Sequence, residues 1–119
     1  MRKLDELMFV RIVVPELFAL IPRYLFEQIK ELDDDAIDTI RGNAVSIMTV
    51  PVVNEKGVVI GRLPAVNVWI AALYDLDLGI KGFLWAEFDI IERRIFVEAC
   101  SVDKEYQSAN GEFINKVVT

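Results

Sequence analysis

Phe83-Leu84-Trp85-Ala86-Glu87-Phe88-Asp89-Ile90-Ile91-Glu92-Arg93-Arg94-Ile95-Phe96-Val97-Glu98-Ala99-Cys100-Ser101-Val102 decides the fold. Two runs rich in aromatic and β-branched residues flank a charged break at Glu92-Arg93, the pattern of a β-hairpin. A loop with an even number of residues pairs Ile90 with Ile95, Phe88 with Val97 and Ala86 with Ala99 on one wholly apolar face, which predicts the core face. A three-residue loop sets Phe88 against Glu98, and a period of two repeats that penalty along the strand. The even loop leaves Trp85 near Cys100, Glu87 opposite Glu98 and Asp89 opposite Phe96 on the second face.

Working toward the N-terminus, residues 65–78 fit two patterns. As a strand they align Val66, Val68, Ile70, Ala72, Tyr74, Leu76 and Leu78; as a helix after Pro64 they align Val66, Trp69, Ile70 and Leu73. The alternation is the longer pattern and Leu63 is a poor N-cap, so the strand is favoured. Residues 46–62 read as an earlier hairpin: Val50, Val52 and Val53, then Asn54-Glu55-Lys56-Gly57, then Val58, Val59 and Ile60. This spacing predicts a three-residue loop with Gly57 in the left-handed region, and Pro51 marks an edge or a bulge.

Pro22 opens a helical stripe of Leu25, Phe26, Ile29 and Leu32, and Asp33-Asp34-Asp35 caps a second helix over Ala36 to Arg41, closed by Gly42. Leu7 to Val14 reads as a buried strand ended by Pro15, and Phe113, Ile114, Val117 and Val118 as a short final element. Val and Ile number 28 against 11 Leu, so strands dominate. No repeat or linker divides the chain. The expectation is one α+β domain over 1–119: a single antiparallel sheet of about five or six strands, with one helical region packed on a face.

Composition narrows function mainly by exclusion. With no histidine among 119 residues, neither a Ser-His-Asp triad nor a His-ligated metal site can form. A lone Cys100 excludes an intrachain disulfide or thiolate cluster and fits a reducing cytoplasmic setting. The charge of −6, with dispersed cations, argues against nucleic acid. The start lacks the order of a secretory leader, and Leu7 to Ile21 is too interrupted to span a membrane. A mean hydropathy of +0.36 in so short a chain instead points to burial against further copies of itself.

The densest chemistry is Glu87 with Glu98, because close carboxylates share a proton and raise an apparent pKa toward acid/base use. Cations at Arg11, Arg62 or Lys81 on neighbouring strands would neutralise them. Trp85, Phe83 and Phe96 flank the pair as a wall for a protein partner or an apolar small ligand. No metal or other cofactor is expected. The aspartate run is a cap with favourable dipole contact, Asp75-Leu76-Asp77-Leu78-Gly79 lacks the oxygens of a calcium loop, Gly57 and Gly61 make no phosphate loop, and Cys100 is a small buried hydrophobe.

Val50 to Gly61 resembles the strand–turn–strand of a CBS (cystathionine-β-synthase-type) domain. The resemblance implies a helix over Val66 to Leu73, and it puts Pro64 and Asn67 where that family carries its adenosine-binding Thr/Ser and Asp. The element order is also similar to hotdog-like and other curved-sheet folds, which hold apolar ligands between sheet and helix. Two functions are therefore expected: first, a non-catalytic oligomeric interaction module whose second sheet face meets a partner; alternatively, a small ligand carrier or enzyme using Glu87 or Glu98.

Overall fold

A computed structural model describes residues 7–109. In chain order the elements are β1 (Met8–Ile12), α1 (Pro15–Phe18), α2 (Arg23–Glu27), α3 (Asp34–Gly42), α4 (Ala44–Met48), β2 (Thr49–Val53), β3 (Val59–Pro64), β4 (Val68–Asp75), β5 (Gly79–Asp89) and β6 (Arg94–Val102). A 3-10 helix over Lys104–Ala109 follows. The chain thus mixes helix and strand, but its strands do not form one sheet of five or six. A four-stranded antiparallel sheet in the order β1-β4-β5-β6 stands beside a separate two-stranded sheet, β2-β3. Pro51 in β2 and Pro64 in β3 each lack a backbone donor, so neither strand offers the main sheet an unbroken edge.

Residues 68–75 form a strand, and Val68, Ile70, Ala72 and Tyr74 share one face as the alternation requires. The helix that the CBS resemblance implies there is absent, because β4 is the inner strand between β1 and β5 and its alternate residues are buried on both sides. β1 is an edge strand with Met8, Phe9 and Arg11 exposed, not a strand buried on both faces. Ser46 belongs to α4, so the first hairpin starts later than its apolar pattern implies. Its loop is as expected: Gly57 has φ +78°, and Asn54 Oδ1 accepts the N–H groups of Lys56 (2.9 Å) and Val58 (3.0 Å).

The helices cover one face of the main sheet. Ile12, Ile70, Ala72, Phe83 and Ala99 from the strands meet Phe18, Ile21, Leu25, Phe26, Ile37, Ala44 and Met48 from the helical region. Phe26 lies 4.8 Å from Phe83 between ring centroids, and Phe18 meets Trp85 edge to face at 6.2 Å. α2 stops at Glu27, and Ile29 and Leu32 reach the same core from the following turns. On the other face a smaller cluster joins Leu7, Leu73, Leu84, Val102 and Tyr106. Polar ties fix α2 to the sheet: Gln28 Nε2 donates to Ser101 Oγ (2.8 Å) and Val102 O (2.9 Å), and the Tyr24 hydroxyl donates to Asp103 Oδ2 (2.8 Å).

Asp33 caps α3, its Oδ1 accepting the Ala36 N–H at 2.8 Å, while Arg23 bonds Asp34 and Asp38 across from α2. Gly42 is the last helical residue, and Asn43 takes the cap expected of it. Asp33→Ala is expected to lower stability by about 1 kcal/mol. Asp34→Ala should change it by less than about 1 kcal/mol, since its ion pair is exposed. Urea denaturation of the two variants side by side checks the assignment of the cap.

Candidate partner surface at the open end of the sheet

The β5–β6 turn occupies Ile90 to Arg93, an even loop of four residues, but its centre is displaced from the expected one. Asp89 Oδ1 accepts the N–H groups of Ile91 (3.1 Å) and Glu92 (3.0 Å), and Arg93 adopts φ 55°. This aspartate turn starts the loop one residue early. Asp89 therefore pairs with Arg94, Phe88 with Ile95, Glu87 with Phe96 and Ala86 with Val97. A bulge then absorbs Glu98, so Trp85 pairs with Ala99 and Leu84 with Cys100. Glu87 and Glu98 are not a cross-strand pair.

The expected core face is also corrected. Phe83 and Trp85 lie on the helix-covered face, whereas Ile90, Ile95 and Val97 are 70%, 60% and 54% exposed and Phe88 is half-buried. The helices follow the large rings of Phe83 and Trp85, which receive Phe26 and Phe18, and their cover does not reach the distal end of the hairpin. Trp85 thus sits under α1, while Glu87 and Phe96 continue the same face beyond it.

There, Val66, Asn67, Glu87, Phe88, Asp89, Ile90, Ile91 and Phe96 line a cleft of about 560 Å³. The Phe88 N–H donates to Asn67 O at 2.8 Å, tying the segment after β3 to β5. Burial first, and the charge of Glu98 second, push the Glu87 carboxyl above the usual glutamate range. The Trp85 indole N–H is buried without a full hydrogen bond but lies near enough to Glu87 to oppose that shift.

No ion pair reaches Glu87 or Glu98 among the described residues. Of the cations expected nearby, Arg62 bonds Thr49 and Lys81 approaches Asp103 at 3.8 Å, while Arg11 lies on the opposite face, beside Ala71. A raised folded-state pKa makes the stabilising contribution of Glu87 complete below its ordinary value. That contribution is lost as pH rises through the folded value. Glu87→Gln is therefore expected to raise the urea midpoint at pH 7 and leave it nearly unchanged at pH 4.

The second component of this end is the β2–β3 arm. Val50, Val53, Val58, Val59, Ile60 and Leu63 are 47–65% exposed, and the pairing puts Val50, Val52 and Leu63 on one face and Val53 and Val59 on the other. Sequence reading finds the hairpin but not its separation from the sheet; the signal is the missing polar alternation in Val50–Val53 and Val58–Ile60, which leaves neither face suited to water. β3 ends at Pro64 and β4 begins at Val68, which pairs with Glu87 just before the β5–β6 turn. Arm and turn consequently leave the sheet at the same end.

Other candidate chemistry has local explanations. Asp75 Oδ1 accepts the N–H groups of Asp77 (2.8 Å) and Leu78 (2.9 Å), shaping a turn completed by Gly79 at φ +87°. Burial pushes the half-buried Cys100 thiol up, away from thiolate chemistry. Among the described residues no three acidic or thiol side chains converge as a metal site, and no helix is long and apolar enough to cross a membrane. The expected final element, Phe113 to Val118, lies outside the described residues. No protein-family model, curated protein or solved structure matches this chain.

Proposed function

We propose that this protein is a non-catalytic oligomeric interaction module of the cytoplasm, its partner surface lying at the end of the sheet that carries the arm and the β5–β6 turn. The single observation behind this reading is the concentration of exposed apolar side chains there: the arm residues together with Ile90, Ile91, Ile95, Phe96 and Val97. Large apolar side chains exposed in such number at one end of a sheet are uncommon on monomers and usual at contacts. The isolated two-stranded arm is itself marginal in water and gains most from a partner. Light scattering at micromolar concentration is expected to give a mass of at least two 13.6 kDa chains. A one-chain mass there overturns the reading.

A second reading, a carrier or enzyme for an apolar small ligand, draws on two concavities. Glu87 borders the 560 Å³ cleft, and Met8, Val10, Leu17, Leu20, Tyr74 and Ile80 are among the residues lining a 290 Å³ apolar groove beneath α1. Saturable binding of a fluorescent acyl probe, lost in Leu17→Asp, would support it, whereas non-saturable uptake would remove its basis.

A further inference from the structure

We infer that the β2–β3 arm of one chain inserts into the Glu87–Phe96 cleft of a second copy, the two arms exchanging reciprocally about a two-fold axis. This rests on the oligomeric reading and names its contact. The arm, residues 49–64, carries Glu55, Lys56 and Arg62, one net positive charge, in a chain whose total is −6. The rest of the chain is correspondingly acidic, so the arm meets less repulsion from a second copy than the average surface of the chain does.

The cleft supplies what the arm lacks. Its floor and rim are apolar at Val66, Phe88, Ile90, Ile91 and Phe96; Glu87 lines it, and Glu98, outside the lining, is near enough for its charge to act on Glu87, with no ion-pair partner for either among the described residues. The arm offers the converse, exposed valine, isoleucine and leucine side chains around Arg62. Arg62 uses Nε toward Thr49 Oγ1 (2.7 Å) and Nη2 toward Thr49 O (3.4 Å), which leaves guanidinium donors available to a carboxylate. An apolar strand with a central cation and an apolar cleft lined by Glu87, with Glu98 close by, are complementary.

Location selects a second copy as the occupant. Arm and cleft lie at the same end of the sheet, and Val66 and Asn67, just beyond the arm, form part of the cleft wall. A chain cannot readily fold its own short-tethered arm back into a cleft that the tether lines. A two-fold axis across this end satisfies both copies at once and closes the assembly. Each chain then contributes both an arm face and a cleft, so that the two contacts together supply the interface, for which a standard size is about 800 Å² per partner.

Sedimentation equilibrium of the full-length chain over a range of concentrations and salt tests the inference. Arg62→Glu and Glu87→Lys are each expected to weaken dimerisation at least about tenfold, and the double variant to recover most of the loss. Ile60→Asp, at a position 65% exposed, is expected to abolish the dimer while leaving the circular dichroism of the chain unchanged. In mixtures of 14N- and 15N-labelled wild-type chains, carbodiimide is expected to couple Lys56 of one chain to Glu87 or Glu98 of the other. A wild-type chain at one-chain mass overturns both the oligomeric reading and this contact. A dimer indifferent to Ile60→Asp and to both charge reversals, or couplings confined to single chains, overturns arm exchange alone.

Discussion

Phe83→Ala is expected to lower the stability of the chain by about 3–5 kcal/mol, measured as the loss in unfolding free energy on urea titration. Phe83 is fully buried, with its ring centroid 4.8 Å from that of Phe26. Its neighbours across the two adjacent strands are Ala72 and Ser101, both too small to fill the space that truncation opens. Loss of transfer free energy and an unfilled cavity therefore add. Against a typical domain stability of about 5–15 kcal/mol, this is a large share, enough to bring the variant close to its unfolding transition at 37 °C. Phe88→Ala provides the control. Phe88 is half-buried on the other face and pairs with Ile95, itself 60% exposed, so its truncation should cost about 1–1.5 kcal/mol. Equal costs at Phe83 and Phe88 would reverse the assignment of the covered face.

Trp85→Ala is expected to cost about 3 kcal/mol, and its effect should appear in the fold of each chain rather than in assembly. The indole meets Phe18 edge to face, and Phe18 is the buried residue of α1, a helix too short to persist without its packing. Removing the indole takes away the edge-to-face contact of Phe18, which keeps only Phe26 as a ring neighbour, and opens the space beneath α1. Proteolysis within residues 13–20 should therefore accelerate before global unfolding does. Trp85→Phe retains an aromatic edge and should recover more than half of the loss. The unfolding midpoint of Trp85→Ala should depend on protein concentration as steeply as that of the wild type, because Trp85 does not line the cleft. A shallower dependence with an intact single-chain fold would put Trp85 in the contact itself.

The two variants also separate what was legible from what was not. The hairpin over residues 83–102, its even loop, the strand over residues 68–75, the Gly57 turn and the Asp33 cap all follow from neighbouring residues, because each is governed by backbone preference or by side-chain period over a few positions. A register that slips by two residues preserves the same alternation, and the hydrophobic pattern therefore did not distinguish Glu87 opposite Glu98 from Glu87 opposite Phe96. Asp89 made that choice by accepting two backbone N–H groups, and the bulge at Glu98 adjusted the rest. Of the candidate site, Glu87 and Phe96 meet in one cleft; Trp85 lies beneath α1 and Glu98 is the exposed bulge residue.

By itself the sequence determined an α+β chain, the identity of most elements and the lack of histidine chemistry, all properties of composition and local order. Only the tertiary structure decided which face of the β5–β6 hairpin is core, since both faces are apolar enough to be buried. Phe18 and Phe26, more than fifty residues earlier, fit against Trp85 and Phe83, and the helices that carry them are too few to cover the distal end as well. The same limit leaves β2–β3 outside the main sheet, with proline in each strand and most of its valine, isoleucine and leucine side chains exposed among the described residues. Such outcomes depend on matching volumes and donors from distant segments, a relation that no local period encodes.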